Sequence, residues 1–170
     1  VLHEVMLFEN PVQAVDLSEQ EVFDMFEHSA ERLFAAPAPI NSPSGSFLHV
    51  SGAVQIAIDC SRPALDRVTS LRINGQALQR PGRPLSQLKF RMASSSFIIA
   101  GGDGYTMLAG KGTDPARNPL NAQRAGGIDS NIAAAYLRQS KFNTTVDEGL
   151  RIDPARMTLT NCSVPSRPSN

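Results

Sequence analysis

The sequence predicts an α+β fold: one domain with a mixed β-sheet and a few packed helices. Three observations carry this. Short runs with period-two alternation recur along the chain, as at Val54-Gln55-Ile56-Ala57-Ile58-Asp59. Only two segments carry a helical period, 19–34 and 129–139. Strands and helices do not alternate regularly, which argues against a doubly wound parallel sheet.

The elements follow in order. Two short strands are expected at Val5–Phe8 and Val12–Leu17, with Asn10-Pro11 turning between them. Ser18 followed by Glu21 has the capping-box spacing, so a helix should begin at Glu19. Val22, Phe23, Phe26, Ala30, Leu33 and Phe34 then form its apolar stripe, and the Ala/Pro run at 35–39 ends it. A Pro/Ser loop (37–45) leads to strands at Phe47–Val50, Val54–Asp59 and Val68–Ile73. Asn74-Gly75 is a hairpin turn signal, making Gln76–Leu78 the return strand. After the loop at 81–84, Leu88–Ala93 reads as a central strand. A second helix spans Asp129–Gln139, capped by Asp129 or Ser130, with Ile132, Ala135 and Tyr136 inward. Late strands are expected near Leu150–Ile152 and Met157–Thr160. The domain is expected to occupy residues 1–163, and the Pro/Ser-rich 164–170 to be a disordered tail.

Composition removes several classes of function. The 170 residues carry 16 basic and 16 acidic side chains, so no bulk field favours nucleic acid or an anionic membrane. No apolar run is long enough to span a bilayer. The chain opens at Val1 without Met, as a processed product or a piece of a longer protein does. Cys60 and Cys162 are too few for a zinc site; they form one disulfide in an oxidising compartment or remain two buried thiols. The histidines are His3, His28 and His49, with no Asp-x-His or Gly-Asn-His-Glu run, so two-metal chemistry is not expected of this chain.

The most unusual stretch is Ser94–Tyr105, which ends in Gly101-Gly102-Asp103-Gly104-Tyr105. Three glycines around one aspartate allow positive φ and a close backbone approach to a ligand. The Asp103 carboxylate then suits a ribose diol or a calcium ion, or it caps its own turn. The run lacks the Lys-Ser/Thr of a phosphate-binding loop and the acidic ladder of an EF-hand, since Tyr105 and Met107 stand where oxygen donors would be needed.

Four segments resemble, in order and spacing, the C-terminal domain of the 5'-nucleotidase family, which includes UDP-sugar hydrolases and 2',3'-cyclic phosphodiesterases. Phe23-Asp24-Met25-Phe26-Glu27-His28-Ser29 is similar to its "LEHS" helix, and Gly45–Gly52 to its "G-x-F-L-Q-V-S-G", with His49 in place of Gln. Asp59-Cys60-Ser61-Arg62-Pro63 followed by Asp66-Arg67-Val68 is similar to "D-x-S-R-P-x-x-x-R-V", and Phe97–Tyr105 to "F-L-A-x-G-G-D-G-Y". The resemblance implies a nucleotide-specificity domain. Its base would be sandwiched between Phe47 and Phe97, and its ribose held by Asp103 in the loop of Gly101, Gly102 and Gly104. It also implies that catalysis and two divalent metal ions belong to an N-terminal metallophosphoesterase domain, with no catalytic residue, metal ligand or bound cofactor in this chain. The family's phosphate-contacting "N-G-G-x-R" would precede Val1. The implied partners are a nucleotide or nucleoside and that N-terminal domain, and the implied location is periplasmic or extracellular; apart from the resemblance, apolar surface on the chain is covered either by the other domain or by a second copy in a homodimer. The alternative is a processed, non-catalytic fragment serving as a nucleotide-binding or dimerisation module.

Overall fold

The computed structural model describes residues 8–31, 45–79, 88–114, 127–139 and 155–162. The architecture is α+β, as the sequence predicts. The chain divides into two compact units, one comprising Val1–Ser18 with Leu88–Ile152 and the other Glu19–Gln87 with Asp153–Asn170.

The first unit is built on an antiparallel pair, β1 (Val12–Ser18) against β5 (Lys89–Ser95), in register from Val12 opposite Ser95 to Ser18 opposite Lys89. Val15 and Leu17 turn into the core with Ile99, Tyr105 and Leu108, while Asp16 and Arg91 pair across the strands at 2.7 and 2.9 Å. A short helix, α2 (Ser96–Ile99), follows β5, and the Ser96 N–H donates to the Pro11 carbonyl, 2.7 Å, tying it to the start of β1. Helix α3 (Asp129–Gln139) is fixed at its N-terminus, where the Asp129 N–H donates to Asn10 and the Val12 N–H to Gly127.

The second unit packs α1 (Glu19–Glu31) with a four-stranded mixed sheet ordered β4-β3-β2-β6. Here β2 (Val54–Asp59), β3 (Val68–Ile73) and β4 (Gln76–Ala77) are antiparallel neighbours, and β6 (Met157–Thr160) runs parallel to β2. Alternation places Val54, Ile56 and Ile58 in the core beside Val68 and Leu71, and helical spacing adds Val22, Phe23, Met25, Phe26 and Ala30. Asn74 (φ 52°) and Gly75 (φ 78°) make the predicted turn. Cys60, just past β2, and Cys162, just past β6, are joined by a disulfide, so the choice left open by the sequence falls to the bonded form.

Two buried acids hold this unit together. The Glu27 carboxylate accepts the backbone N–H groups of Arg67 (2.8 Å) and Val68 (3.0 Å). The Arg67 guanidinium in turn donates to the last carbonyls of α1, Ala30 (3.2 Å) and Glu31 (3.0 Å). Glu19 accepts from the Gln79 N–H, 2.6 Å. Buried carboxylates persist only when hydrogen-bonded in this way.

Three expectations need correction. Phe47–Val50 is not a strand, because its backbone groups are taken by side chains: the Leu48 N–H donates to Ser29 Oγ (2.9 Å), and the Arg156 guanidinium donates to the carbonyls of Val50 (2.7 Å) and Ser51 (2.8 Å). Strand β5, expected to be central from Leu88–Ala93, pairs only with β1 among the described residues, and none of its side chains is buried. On α3, Ile132 and Tyr136 (44% and 64% exposed) and Ala135 face outward. The bonds to Asn10 and from Val12 fix the start of the helix, and with that phase Ser130 is buried and Ala133 and Ala134 are half-buried. The expected elements at Val5–Leu7, Leu33–Phe34 and Leu150–Ile152, the loops at 37–44 and 81–84 and the tail at 164–170 lie outside the described residues.

Candidate functional site

The glycine loop grows out of α2. Ser95 Oγ accepts the Ile98 N–H, 3.4 Å, starting a single helical turn. That turn ends where the Ala100 and Gly101 N–H groups return to the carbonyls of Ser96 and Ile98, both 2.9 Å. Gly101 adopts φ 96°, a conformation glycine enters without steric penalty, and redirects the chain into a 3-10 turn over Gly102–Gly104. Asp103 itself sits at φ 53°, ψ 21°, in the left-handed region, and its side chain is exposed. Aspartate is one of the few residues that tolerate this region, at a cost of about 1 kcal/mol. Tyr105, wholly buried, closes the loop with its N–H on the Gly102 carbonyl, 3.1 Å.

Phe97 projects from α2 and is 48% exposed. Its ring lies directly over Gly102: a Cβ at that glycine would fall 2.5 to 2.7 Å from Phe97 Cζ, Cε1 and Cδ1. Gly102 therefore seats the ring as well as shaping the turn. The first unit thus brings together Phe97, Gly101, Gly102, Asp103 and Gly104.

Beside Phe97 lies a groove of about 460 Å³, lined by Asn10, Gln13, Ser96, Phe97, Ile99 and Thr113 with small residues between them. Among the described residues, no ionisable side chain lines it. Its walls offer one aromatic ring and neutral hydrogen-bonding groups, which suits a flat, uncharged, polar ring better than an anion.

Phe47 belongs to the second unit, half-buried and edge-on to His49 with ring centroids 6.2 Å apart and an 85° angle between planes. The Ser29–Leu48 hydrogen bond anchors its loop to α1.

Sequence reasoning passed over another aromatic. Phe8, 78% exposed, stands two residues before the groove-lining Asn10, and its carbonyl accepts the Asn10 N–H at 2.7 Å. The signal was there in the sequence: a large aromatic followed at once by Glu-Asn-Pro has little chance of burial.

The described residues do not fit a two-metal centre. No three His, Cys, Asp or Glu side chains among them converge; His28 Nδ1 is 3.7 Å from Glu31, and His49 stands against Phe47. Among the described residues no helix is long and apolar enough to cross a membrane.

The α+β fold, with one mixed sheet and a glycine-aspartate loop after β5, defines the class. The chain belongs to the family described as "5'-nucleotidase, C-terminal domain", whose model matches residues 1–110. It is 29% identical over 144 residues to an apyrase of Tabanus yao, covering 84% of this chain and 24% of that protein. It is 26% identical over 147 residues to a 5'-nucleotidase of Diplobatis ommata, covering 85% and 23%. The crystal structure of a 5'-nucleotidase precursor from Thermus thermophilus superposes with a TM-score of 0.64 at 25% identity, over 94% of this chain and 27% of that one. The chain spans about a quarter of the length of these relatives.

Proposed function

We propose that this chain is the nucleotide-capture part of a 5'-nucleotidase-type phosphoesterase. Residues 1–163 would act as one module. The base stacks on the exposed ring of Phe97, and the Asp103 carboxylate accepts the two ribose hydroxyls within the loop of Gly101, Gly102 and Gly104. The observation that carries this reading is the seating of Phe97 on Gly102, one residue before Asp103. A ring held with one side on the backbone and nearly half its surface in solvent is a stacking platform; its partner can be any base, because every base has a π-face. A carboxylate accepting two O–H bonds is a strong and directional grip on a diol.

The second ring of the sandwich is open to two candidates. The resemblance implied Phe47. Phe8 is favoured by its greater exposure, by its place in the same compact unit as Phe97, and by its neighbour Asn10 in the groove. Bond cleavage, and the two divalent metal ions it needs, are assigned to an N-terminal metallophosphoesterase domain outside these residues, as the family resemblance implies. The disulfide supports work in an oxidising, periplasmic or extracellular space.

Titration calorimetry with adenosine tests the reading. The chain should bind, and Phe97→Ala and Asp103→Ala should each weaken binding at least about fivefold. Of Phe8→Ala and Phe47→Ala, the one that matches this loss identifies the second ring. Unchanged affinity in both Phe97→Ala and Asp103→Ala refutes the assignment.

The second reading is a non-catalytic fragment working as a nucleotide-binding or dimerisation module. The exposed Ile132, Tyr136 and Leu137 on α3 favour it. A monomer in sedimentation velocity at high concentration removes the dimer.

A further inference from the structure

The groove beside Phe97 holds a feature that stacking does not use. Gln13, on β1, lines it with its amide turned toward Gly112: a Cβ added at Gly112 would fall 2.6 Å from Gln13 Oε1 and 2.8 Å from Ile99 Cγ2. Glycine at this position is what leaves the amide its place. Asn10, the other amide in the wall, spends a donor on the Phe8 carbonyl at 3.4 Å, and Thr113 donates its hydroxyl to the Gly110 carbonyl at 3.0 Å. Among the described residues, no hydrogen bond engages the Gln13 side chain. Among the described residues, an amide in the wall of a groove without charged side chains, its oxygen and NH2 both uncommitted, is placed to pair with an adjacent donor and acceptor on a ligand.

Nucleobases present such pairs on their edges. A glutamine amide meets adenine in a two-bond arrangement with the N6 amino group and N7, which discriminates by about 1–3 kcal/mol, or roughly 5- to 150-fold, where the groove presents that edge of the base to it. Stacking on Phe97 accepts any base, so it supplies affinity without choice. Among the described residues, the walls carry no charge to attract a phosphate.

We propose that Gln13 is the base-reading residue of this chain: its amide, kept in place by the missing side chain of Gly112, pairs with the edge of the base stacked on Phe97 and sets the preference for 6-aminopurines. This rests on the nucleoside-capture reading above. It adds a residue that confers selectivity, distinct from those that confer affinity.

The test is a titration of adenosine, guanosine, cytidine and uridine against the chain, with calorimetric readout. The unsubstituted chain should favour adenosine over uridine by about tenfold or more, the scale of one two-bond pairing. Gln13→Leu, close in size but unable to pair, should retain ring-dependent binding while the spread falls below about threefold. Gly112→Ala should narrow the spread too, since the added methyl displaces the amide. Circular dichroism and thermal melting of each variant confirm that it folds; if Gln13→Leu does not, Gln13→Met replaces it. Equal affinities in the unsubstituted chain, or an unchanged spread in the Gln13 variant, overturn the assignment of Gln13 and leave the stacking platform standing. Failure of every nucleoside to bind overturns both.

Discussion

Substituting Gly102 by Ala separates the seating of the stacking ring from the stability of the fold. The new Cβ would lie 2.5 Å from Phe97 Cζ. Carbon atoms pack at about 3.5 Å or more, so the ring must retreat by about 1 Å. It can do so at low cost, because Phe97 is nearly half exposed and swings on its own side-chain torsions. The glycine's φ is not in the left-handed region, so the backbone accepts alanine there. Replacing a compatible glycine also lowers the entropy of the unfolded chain by about 0.4–1 kcal/mol. The two effects offset, and the melting free energy should change by less than about 1 kcal/mol. Adenosine binding should fall much further, up to the stacking contribution of about 1–3 kcal/mol, or roughly 5- to 150-fold. Gly45→Ala is the control, because among the described residues nothing lies within 4 Å of its added Cβ. Calorimetry and thermal melts on the same preparations give both numbers. If Gly102→Ala binds adenosine as the unsubstituted chain does, the ring over Gly102 is not the platform.

Three further outcomes follow from the second unit. Replacing Cys60 and Cys162 together by Ser opens a cross-link spanning 102 residues, which the chain-entropy model values at about 4.7 kcal/mol; chemical denaturation with and without reductant should show most of that loss. Glu27→Gln keeps the shape but sets an NH2 against one of the two backbone N–H groups of Arg67 and Val68 and takes the charge from the other bond, and should cost about 2–3 kcal/mol by the same assay. The Asp59 carboxyl is held below its ordinary 3.8 by the Asn161 side chain first and by Ser61 second. Its folded pKa is depressed, so its contribution is present above the ordinary value and fades as pH falls through the lower folded one. Thermal melts taken downward through pH 3.8 should therefore show a steeper loss in the unsubstituted chain than in Asp59→Asn.

The sequence made local structure legible wherever local physics decides it. Val54, Ile56 and Ile58 alternate because one side of β2 is buried, and Asn74-Gly75 takes positive φ at both positions because few residues can. The motifs of the "LEHS" helix and the "R-V" strand also acquire a physical reason. Glu27 binds the backbone of Arg67 and Val68, and Arg67 caps the helix carrying Glu27. What the sequence hid was long-range. Ser29 and Arg156 claim the backbone around Leu48 from 19 and about 105 residues away, and no window over 47–50 contains either one. Helix α3 shows the same limit: its apolar period was real, yet bonds to Asn10 and from Val12 oriented it by Ser130 and two alanines. At the site, glycine spacing announced the turn around Asp103, whose left-handed φ it requires. The support of Phe97 by Gly102, and the groove holding Gln13, depend on contacts between side chains and distant backbone that spacing does not encode.

The central claim is that a nucleoside lies on Phe97 with its ribose at Asp103. Intermolecular nuclear Overhauser contacts measured on the chain with bound adenosine test it most directly. The account predicts contacts from the adenine H2 or H8 protons to the Phe97 ring, and from the ribose protons to Asp103 and the flanking Gly102 and Gly104. Adenosine contacts confined to other residues, with none to the Phe97 ring, would contradict it.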